Sequence, residues 1–190
     1  MKRLSDFIIS FLCLLFFSPL MLVCAIAIRR EDGLPVIFRQ ERIGLHGKPF
    51  FIYKFRSMKK GAEQDKPLLL ESGNDPRLTH VGRFLRIHHL DELPQLWNVL
   101  KGDMAFVGYR PERQYFIDKI MEQDPRYSRL FAIRPGVTSY ATLYNGYTDT
   151  MEKMLKRLDL DLYYLEHRSW WLDLKILAKT FINLLIGKIF

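Results

Sequence analysis

The longest apolar run of the chain lies near its N-terminus and restricts the fold more than any other feature. Residues Phe7 to Ile28 include no charged side chain. As a straight helix this run would measure about 33 Å, enough to cross the hydrocarbon core of a bilayer. A cleaved signal peptide is the alternative, but the apolar part is too long and no small-residue cleavage site precedes Arg29. The sequence therefore predicts a membrane segment within residues 1–30.

The middle of this segment contains Ser18 and Pro19. Because proline removes a helix hydrogen bond and clashes with the preceding turn, we expect the helix to break at this pair. Two basic residues lie on each side of the run: Lys2 and Arg3 before it, Arg29 and Arg30 after it. The positive-inside bias therefore does not separate the two ends, which suits a re-entrant helix hairpin. A kinked helix that spans the membrane is the alternative.

The charge of the chain points to an anionic partner. Its 190 residues include 29 Lys and Arg against 21 Asp and Glu, a formal net charge of +8. Nucleic acid, acidic lipid headgroups and a phosphorylated substrate all fit that charge, which does not select among them. The length suits one domain with appended elements, so residues 31–190 are predicted to form a single domain. Cys13 and Cys24 both lie in the apolar run and support neither a disulfide framework nor a zinc or thiol motif.

The rest of the chain predicts a mostly helical α+β fold with a short β-hairpin. Two β-rich runs flank a turn signal at Leu45 to Lys48. On the second run Lys54 and Arg56 share one face, which is either a solvated face or an anion clamp. Residues 59–82 are polar and rich in turn formers, which predicts a surface loop and a candidate lid.

Helices are predicted over most of the second half. Thr79 is expected to cap one helix, and Pro94 fits a second helix from Asp91 to Lys101 if it lies in the first turn. Pro111 is expected to begin a third. A helix with an apolar core stripe starts near Thr148. The last helix, from Trp170, is apolar around most of its surface, which predicts an interfacial membrane helix; docking on the domain core is the alternative.

Asp91 and Glu92 form an acidic pair at a predicted helix start. Carboxylates there often only cap the helix, because they accept its free N–H groups and complement the dipole. The same location also keeps a carboxylate ionised beside backbone donors that can receive a phosphate. Mg²⁺ binding fits as well, because this ion takes one or two carboxylates together with diphosphate oxygens. The residues by themselves leave these alternatives open.

Several ordered motifs carry a family resemblance. They are KFRSM at 54–58, LDELPQLWNVLKGDMAFVG at 90–108, RPE at 110–112, RPGVT at 134–138 and WWLDLKILAKT at 170–180. Together they resemble the bacterial sugar transferase family, the monotopic phosphoglycosyl transferases that begin glycan assembly on a polyprenyl phosphate. The similarity runs in order over nearly the whole chain, from Ser18 and Pro19 to the C-terminal helix.

The resemblance implies a reaction and roles for residues. Proteins of this family transfer a sugar 1-phosphate from a UDP-sugar to polyprenyl (undecaprenyl) phosphate, and they release UMP. By the match, Asp91 is the nucleophile that forms a phosphosugar-aspartate intermediate, and Glu92 binds metal or assists the lipid phosphate. Mg²⁺ is the implied cofactor, held by Asp91 and Glu92. The cations at motif positions, expected to bind phosphate or nucleotide, are Lys54, Arg56, Arg86, Arg110 and Arg134.

The resemblance also implies a location. Family members have a re-entrant helix broken at the Ser-Pro pair, so Ser18 and Pro19 are expected to keep the catalytic domain on the cytoplasmic face of the bacterial inner membrane. Membrane lipids are then partners, and nucleic acid is not, because a nucleic-acid-binding surface has no need of an acidic pair among cations. A homodimer is compatible with the sequence, which does not determine the oligomeric state.

Departures from the family pattern lie around the acidic pair and the arginine motifs. His88 and His89 precede Asp91 where the family usually has Ser or Thr two residues before the acid, Tyr109 replaces a proline, and residues 139–142 replace a Gly-rich stretch. These changes bear on sugar specificity more than on reaction type. The two histidines are expected to be surface or capping residues, with a part in the chemistry as the alternative. The rival function is a membrane-anchored anion-binding or scaffold protein without catalysis.

Overall fold

A computed structural model of the chain describes residues 2–62, 75–146 and 148–186. The fold is mostly helical α+β with a short antiparallel hairpin, as the sequence predicts. Half of the predicted lid, residues 63–74, lies outside the described residues. In chain order the elements are α1 (Lys2–Asp32), β1 (Ile37–Ile43), β2 (Pro49–Phe55), α2 (His80–Ile87), α3 (Gln95–Lys101), β3 (Ala105–Val107), α4 (Gln114–Gln123), β4 (Gly136–Thr138), α5 (Tyr140–Asn145), α6 (Met151–His167) and α7 (Trp170–Leu185).

The chain forms two compact units. The first consists of Met1–Gln40 and Ile52–Lys101, and the second of Glu41–Phe51 and Gly102–Phe190. Strands β1 and β2 pair as the predicted hairpin, and a short 3₁₀ turn at Leu45–Gly47 closes its tip. The base of the hairpin therefore belongs to the first unit and its tip to the second. The predicted division into residues 1–30 and 31–190 stays a prediction.

Helix α1 continues through Pro19, so the expected interruption at Ser18 and Pro19 is wrong as a break in helical structure. A proline at this position leaves the carbonyl of Leu15 without its usual N–H donor, because that carbonyl lies four residues earlier. The hydroxyl of Ser18 donates to the same Leu15 carbonyl at 2.8 Å. The serine therefore replaces the bond that the proline removes, and the helix needs no break.

Both ends of α1 are anchored on the first unit. Near its start, Arg3 donates to the carbonyls of Val99 and Leu100 in the last turn of α3, each at 2.6 Å. Near its end, Glu31 accepts the backbone N–H groups that begin α2. Most of the side chains between these anchors are exposed. Among the described residues, α1 is the one helix long and apolar enough to cross a membrane, by length and composition alone.

The core of the first unit lies where the second half of α1 meets β2 and α2. Cys24 and Ile28 of α1 are buried against Phe55 and Leu85. Helix α2 begins where predicted, because Thr79 accepts the N–H of Gly82 at 2.8 Å and so caps its first turn. Burying these apolar side chains couples the membrane segment to the strand and helix that carry the motif residues.

The second unit is built on two short parallel strands and three long helices. Strand β3 pairs with β4 in the register Ala105 to Gly136 and Val107 to Thr138. Helix α6 buries the predicted apolar stripe at Met154, Leu158 and Leu162, and the hydroxyl of Thr150 caps it. Helix α4 starts at Gln114 rather than at Pro111. Arg42 donates to the Pro111 carbonyl at 3.1 Å, so that carbonyl is used outside the helix.

Helix α7 combines the two alternatives that the sequence left open. Ile176 is buried, and the hydroxyl of Thr180 lies 2.8 Å from that of Thr138, so one edge of the helix docks on the unit. Trp170 and Trp171, at its start, are 66% and 81% exposed. The large exposed apolar surface of α7 retains the composition of an interfacial helix.

Candidate active site

Asp91 lies in a 3₁₀ turn at Leu90–Glu92 and not in the first turn of α3, which begins at Gln95. The expected helix start at Asp91 is therefore wrong. Pro94 has no N–H to donate to the Leu90 carbonyl, and the N–H of Leu93 takes that bond at 3.3 Å instead, which tightens the turn. The acidic pair is thus presented on a tight turn between two helices.

The two histidines before the pair shape its approach. His89 has φ of 53° in the left-handed region, which ends the turn after α2 and redirects the chain. His88 is exposed, and its ring lies 4.4 Å from that of Phe84. The structure thus gives both histidines positions typical of surface and turn residues.

Asp91 is buried without an ion pair inside the described part of the chain. Its side chain is 6% exposed, and its carboxylate accepts only its own backbone N–H. Burial raises the pKa of Asp91 to about 6, and Glu92 adds to the rise, whereas the charges of Lys54 and Arg86 oppose it. Among the described residues, Asp91 is a buried acid near cations that bonds to no other side chain.

Glu92 has a direct partner. The ammonium of Lys54 on β2 donates to Oε1 of Glu92 at 2.5 Å, and both side chains are about one-fifth exposed. Lys54 therefore neutralises Glu92 while its charge also favours the ionised form of Asp91. Of the two adjacent acids, one is bound by a cation and the other is only close to cations.

The other two predicted cations of the first unit differ in their engagement. Arg86 of α2 favours the ionised form of Asp91 and donates from Nε to the hydroxyl of Ser57 at 2.9 Å. Arg56 instead binds the end of α1, with Nη2 at 2.9 Å from a carboxylate oxygen of Asp32 and from the carbonyl of Gly33. The first unit thus brings Asp91, Glu92, Lys54 and Arg86 together and uses Arg56 to hold the membrane segment.

Arg110 and Arg134 belong to the second unit. Arg110 is exposed and lies three residues after the end of β3, and its backbone N–H donates to Asp161. Arg134 donates from Nε to the carbonyl of Gly102 at 2.8 Å, which ties the segment before β4 to the segment before β3. The described contacts of Arg134 are therefore structural, whereas the side chain of Arg110 faces solvent.

Glu112 of the RPE motif is clamped by two arginines. Its carboxylate accepts from Arg157 at 2.7 Å and from Arg42 at 3.1 Å, and it is 7% exposed. Burial by itself raises the pKa of Glu112, but the guanidinium groups of Arg157 and Arg42 outweigh it and hold that pKa below its usual value. Glu112 is consequently a fixed anion that shapes the loop after β3.

Sequence reasoning missed several residues that organise these sites. Arg157 and Asp161 lie four residues apart on the buried face of α6, where charged side chains interrupt an apolar stripe. Burial raises the pKa of Asp161 to about 7, although it accepts from the backbone N–H groups of Arg110 and Ala141 and from Ser139. The sequence could have indicated Arg157 and Asp161, because charged residues at positions of an apolar helical stripe are unusual. Ser57 lies within the motif KFRSM, but nothing in the sequence distinguishes its role.

The acidic pair fits a magnesium ion only if the substrate completes its coordination. Among the described residues, no group of three or more His, Cys, Asp and Glu side chains is arranged to hold a metal. Asp91 and Glu92 supply at most two carboxylates. Mg²⁺ is commonly bound by one or two carboxylates with substrate phosphates and waters. The donor set therefore suits an ion that arrives with a diphosphate.

Comparisons with known proteins agree with these motifs. The profile of a family described as bacterial sugar transferase matches residues 1–187. A Klebsiella pneumoniae UDP-glucose:undecaprenyl-phosphate glucose-1-phosphate transferase is 44% identical over 98% of this chain and 40% of its own length. An Aeromonas hydrophila UDP-N-acetylgalactosamine-undecaprenyl-phosphate N-acetylgalactosaminephosphotransferase is 39% identical over 98% of this chain and 44% of its own length.

A further relative is matched over most of its length. The UDP-glucose:undecaprenyl-phosphate glucose-1-phosphate transferase of Caulobacter vibrioides is 41% identical over 97% of this chain and 69% of the relative. The chain spans less than half of the Klebsiella and Aeromonas proteins, so it corresponds to one part of them. By the profile match over 187 of its residues, and by the identity to proteins named as sugar-phosphate transferases, the chain belongs to the bacterial sugar transferase family.

Proposed function

We propose that this chain transfers a sugar 1-phosphate from a UDP-sugar to a polyprenyl phosphate such as undecaprenyl phosphate, giving a polyprenyl-diphosphate sugar and UMP. One observation carries the proposal: Asp91 is buried among cations yet has no ion-pair partner in the described ranges. Glu112, at a similar burial, is instead paired with two arginines. The names of the relatives supply the substrate classes.

The first step is attack by a carboxylate oxygen of Asp91 on the sugar-bearing phosphorus of the UDP-sugar. A phosphorus–oxygen bond forms to Asp91, and the bond from the same phosphorus to the bridging oxygen breaks, so UMP leaves with that electron pair. Lys54 and Arg86 favour the ionised carboxylate at the start. Their positive charges also stabilise the charge that develops on the phosphate oxygens.

In the second step, an oxygen of the polyprenyl phosphate attacks the same phosphorus and the Asp91 carboxylate leaves. Splitting the displacement into two steps lets a fixed carboxylate attack first and leave second. A direct encounter between the lipid phosphate and the sugar diphosphate, both anions, is thereby avoided. Glu92, bound to Lys54, is available to the metal or to the incoming phosphate. When bound, Mg²⁺ would be held by Asp91 and Glu92 and would neutralise charge on the diphosphate.

The proposed location is the cytoplasmic face of the bacterial inner membrane, with α1 as a re-entrant helix that stays helical through Ser18 and Pro19 and bends there. A straight helix of 31 residues would be about 46 Å long. The two ends of α1 nevertheless contact α3 and α2 of one unit, which supports a helix that returns to the side it entered from.

Cysteine labelling tests this topology. Ser5→Cys and Arg30→Cys should both react with a membrane-impermeant maleimide added to inside-out vesicles, which expose the cytoplasmic face. Neither should react when the same reagent is added to right-side-out spheroplasts. The native Cys13 and Cys24 are first replaced by serine. Protection of Ser5→Cys in inside-out vesicles, together with its labelling from outside, would identify a spanning helix.

UMP release tests the reaction. Nanodisc-held protein is incubated with a UDP-sugar, undecaprenyl phosphate and Mg²⁺, and we expect Asp91→Asn to reduce release by at least about 1,000-fold, as loss of a nucleophile does. Asp118→Asn, at an exposed position of α4, is the matched control and should keep full activity. Omitting Mg²⁺ and adding a chelator should also abolish release.

Mass spectrometry of protein quenched with UDP-sugar alone should find the phosphosugar on the peptide that contains Asp91. Full turnover in Asp91→Asn, or an adduct on another residue, would contradict a covalent intermediate on Asp91.

Binding of both substrates without UMP release would favour the non-catalytic scaffold. A panel of UDP-sugars that starts with UDP-glucose and UDP-N-acetylgalactosamine defines the sugar, and light scattering in detergent determines whether the protein is a monomer or a homodimer.

A further inference from the structure

Arg86 is oriented by a single side-chain contact. Its Nε donates to the hydroxyl of Ser57 at 2.9 Å. Within the described ranges, its two terminal nitrogens donate to no acceptor. The charge of Arg86 lowers the pKa of two acids, Asp91 and Asp75, so the guanidinium lies near both.

Asp75 accepts no hydrogen bond from the terminal nitrogens of Arg86 among the described residues. Its carboxylate receives three bonds from the side chain of Arg77, at 2.7 to 3.2 Å, and it is 3% exposed. Asp91 makes no ion pair with Arg86 in the described part of the chain. Ser57 is therefore the group that fixes the direction of this guanidinium.

Ser57 is itself held by the start of α2. Its backbone carbonyl accepts the N–H of Thr79 at 3.1 Å, and its side chain and backbone are 93% buried. A methyl group at Gly82 would overlap the Ser57 carbonyl, so the helix rests directly on this residue. Ser57 is consequently fixed against Gly82, which lies one turn before Arg86 on α2.

A guanidinium held at Nε presents its two terminal nitrogens as a fork. That fork matches two oxygens of a phosphate, and fixing its plane in advance reduces the entropy lost on binding. We propose that Ser57 is a positioning residue, which orients Arg86 to bind the phosphate oxygens of a substrate at Asp91. The inference rests on the proposed transfer reaction and adds a residue to its machinery.

The steady-state test uses Ser57→Ala in nanodiscs. We expect the KM of one phosphorylated substrate to rise about five- to tenfold, the worth of one hydrogen bond, with a smaller change in kcat. KM is measured separately for the UDP-sugar and for undecaprenyl phosphate, and the substrate whose KM rises is the one that Arg86 binds. Arg83→Ala removes an exposed charge from the same helix and should leave both KM values unchanged.

A double-mutant cycle separates positioning from a structural role. Because Ser57 acts through Arg86, Ser57→Ala should add no further rise in KM once Arg86→Ala is present. A merely structural serine would lower activity to the same extent in both backgrounds, and that additivity would overturn the proposal. An unchanged KM in Ser57→Ala would overturn it as well.

A second variant keeps the test valid if Ser57→Ala folds poorly. Ser57→Cys is close in size, but its sulfur is a weak acceptor, so the same rise in KM is expected. Normal KM values in a folded Ser57→Cys protein would contradict the role of the hydroxyl. Failure of the proposed reaction looks different, since the unsubstituted protein would then release no UMP at all.

Discussion

Asp91 and Glu112 are both buried acids in family motifs, one in each compact unit, and they are held in opposite ways. Glu112 is paired with two guanidinium groups, at 2.7 and 3.1 Å. Asp91 has Lys54 and Arg86 near it but is bonded to neither in the described ranges. The pKa of Glu112 accordingly lies below its usual value, whereas burial raises that of Asp91 to about 6.

The difference shows how contact, rather than proximity, decides what a buried carboxylate does. A guanidinium that touches both a carboxylate and the surrounding backbone compensates for burial and makes the acid part of the fold. A carboxylate that is left unbonded keeps a nucleophilic oxygen, and its burial is a cost that the rest of the unit must offset. Burial of Asp91 therefore costs the first unit stability, whereas the charge of Glu112 is compensated by its two arginines.

The largest expected effect is on folding. Glu112→Gln leaves Arg157 and Arg42 buried without a counter-charge, which costs about 3–5 kcal/mol and lowers the melting temperature by about 10 °C. Asp91→Asn should not lower the melting temperature at pH 8. At that pH the buried carboxylate is ionised, and burying its charge costs stability that a neutral amide does not lose. Thermal unfolding in detergent, followed by circular dichroism, measures both. Equal destabilisation by the two variants would break the comparison.

An intermediate effect is expected on the rate. Lys54→Met keeps most of the side-chain length but removes the charge that binds Glu92 and favours ionised Asp91. We expect kcat/KM for UMP release to fall about 100-fold, the scale for loss of a charged group at a phosphoryl site. Lys119→Met, on the exposed face of α4, is the control and should retain activity. If both variants kept their activity, the cation would have no role at the acidic pair.

The smallest expected effect is a change in pH dependence. Burial raises the pKa of Asp161 to about 7 from an ordinary 3.8, so between these values the folded protein holds a proton that the unfolded chain has lost. Stability therefore falls as pH rises through this window and levels off above it. Glu112 has the opposite effect and acts only in the acidic part of this window, because its pKa is 4.5 in the unfolded chain and lower in the fold. Asp161→Asn should remove this part of the decline.

The measurement is the melting temperature of Asp161→Asn minus that of the unsubstituted protein. We expect the difference to become more positive, by a few degrees, from pH 5 to pH 8. Asp91 titrates in both proteins, so its contribution cancels. Asp159→Asn, which removes an exposed carboxylate from the same helix, should give a difference independent of pH. A constant difference for Asp161→Asn would mean that this carboxyl does not titrate in the window.

Sequence patterns predicted the elements better than their ends. The hairpin, the Thr79 cap and the core stripe of α6 are confirmed because each depends on neighbouring residues. The helix starts at Asp91 and Pro111 are wrong by three or four residues. Each boundary depended on where one carbonyl is used: Leu90 bonds within a tight turn, and Pro111 accepts from Arg42, which lies 69 positions earlier in the chain.

The sequence by itself determined that this chain has an apolar segment long enough to enter a membrane, a mostly helical α+β fold and an acidic pair among cations, because periodicity, composition and motif spacing are local properties. Only the tertiary structure decided which cation touches which acid. Lys54 binds Glu92 across 38 positions, Arg157 binds Glu112 across 45, and Arg56 serves α1. Such pairings depend on distances between segments far apart in the chain, and those distances are set by the packing of the elements.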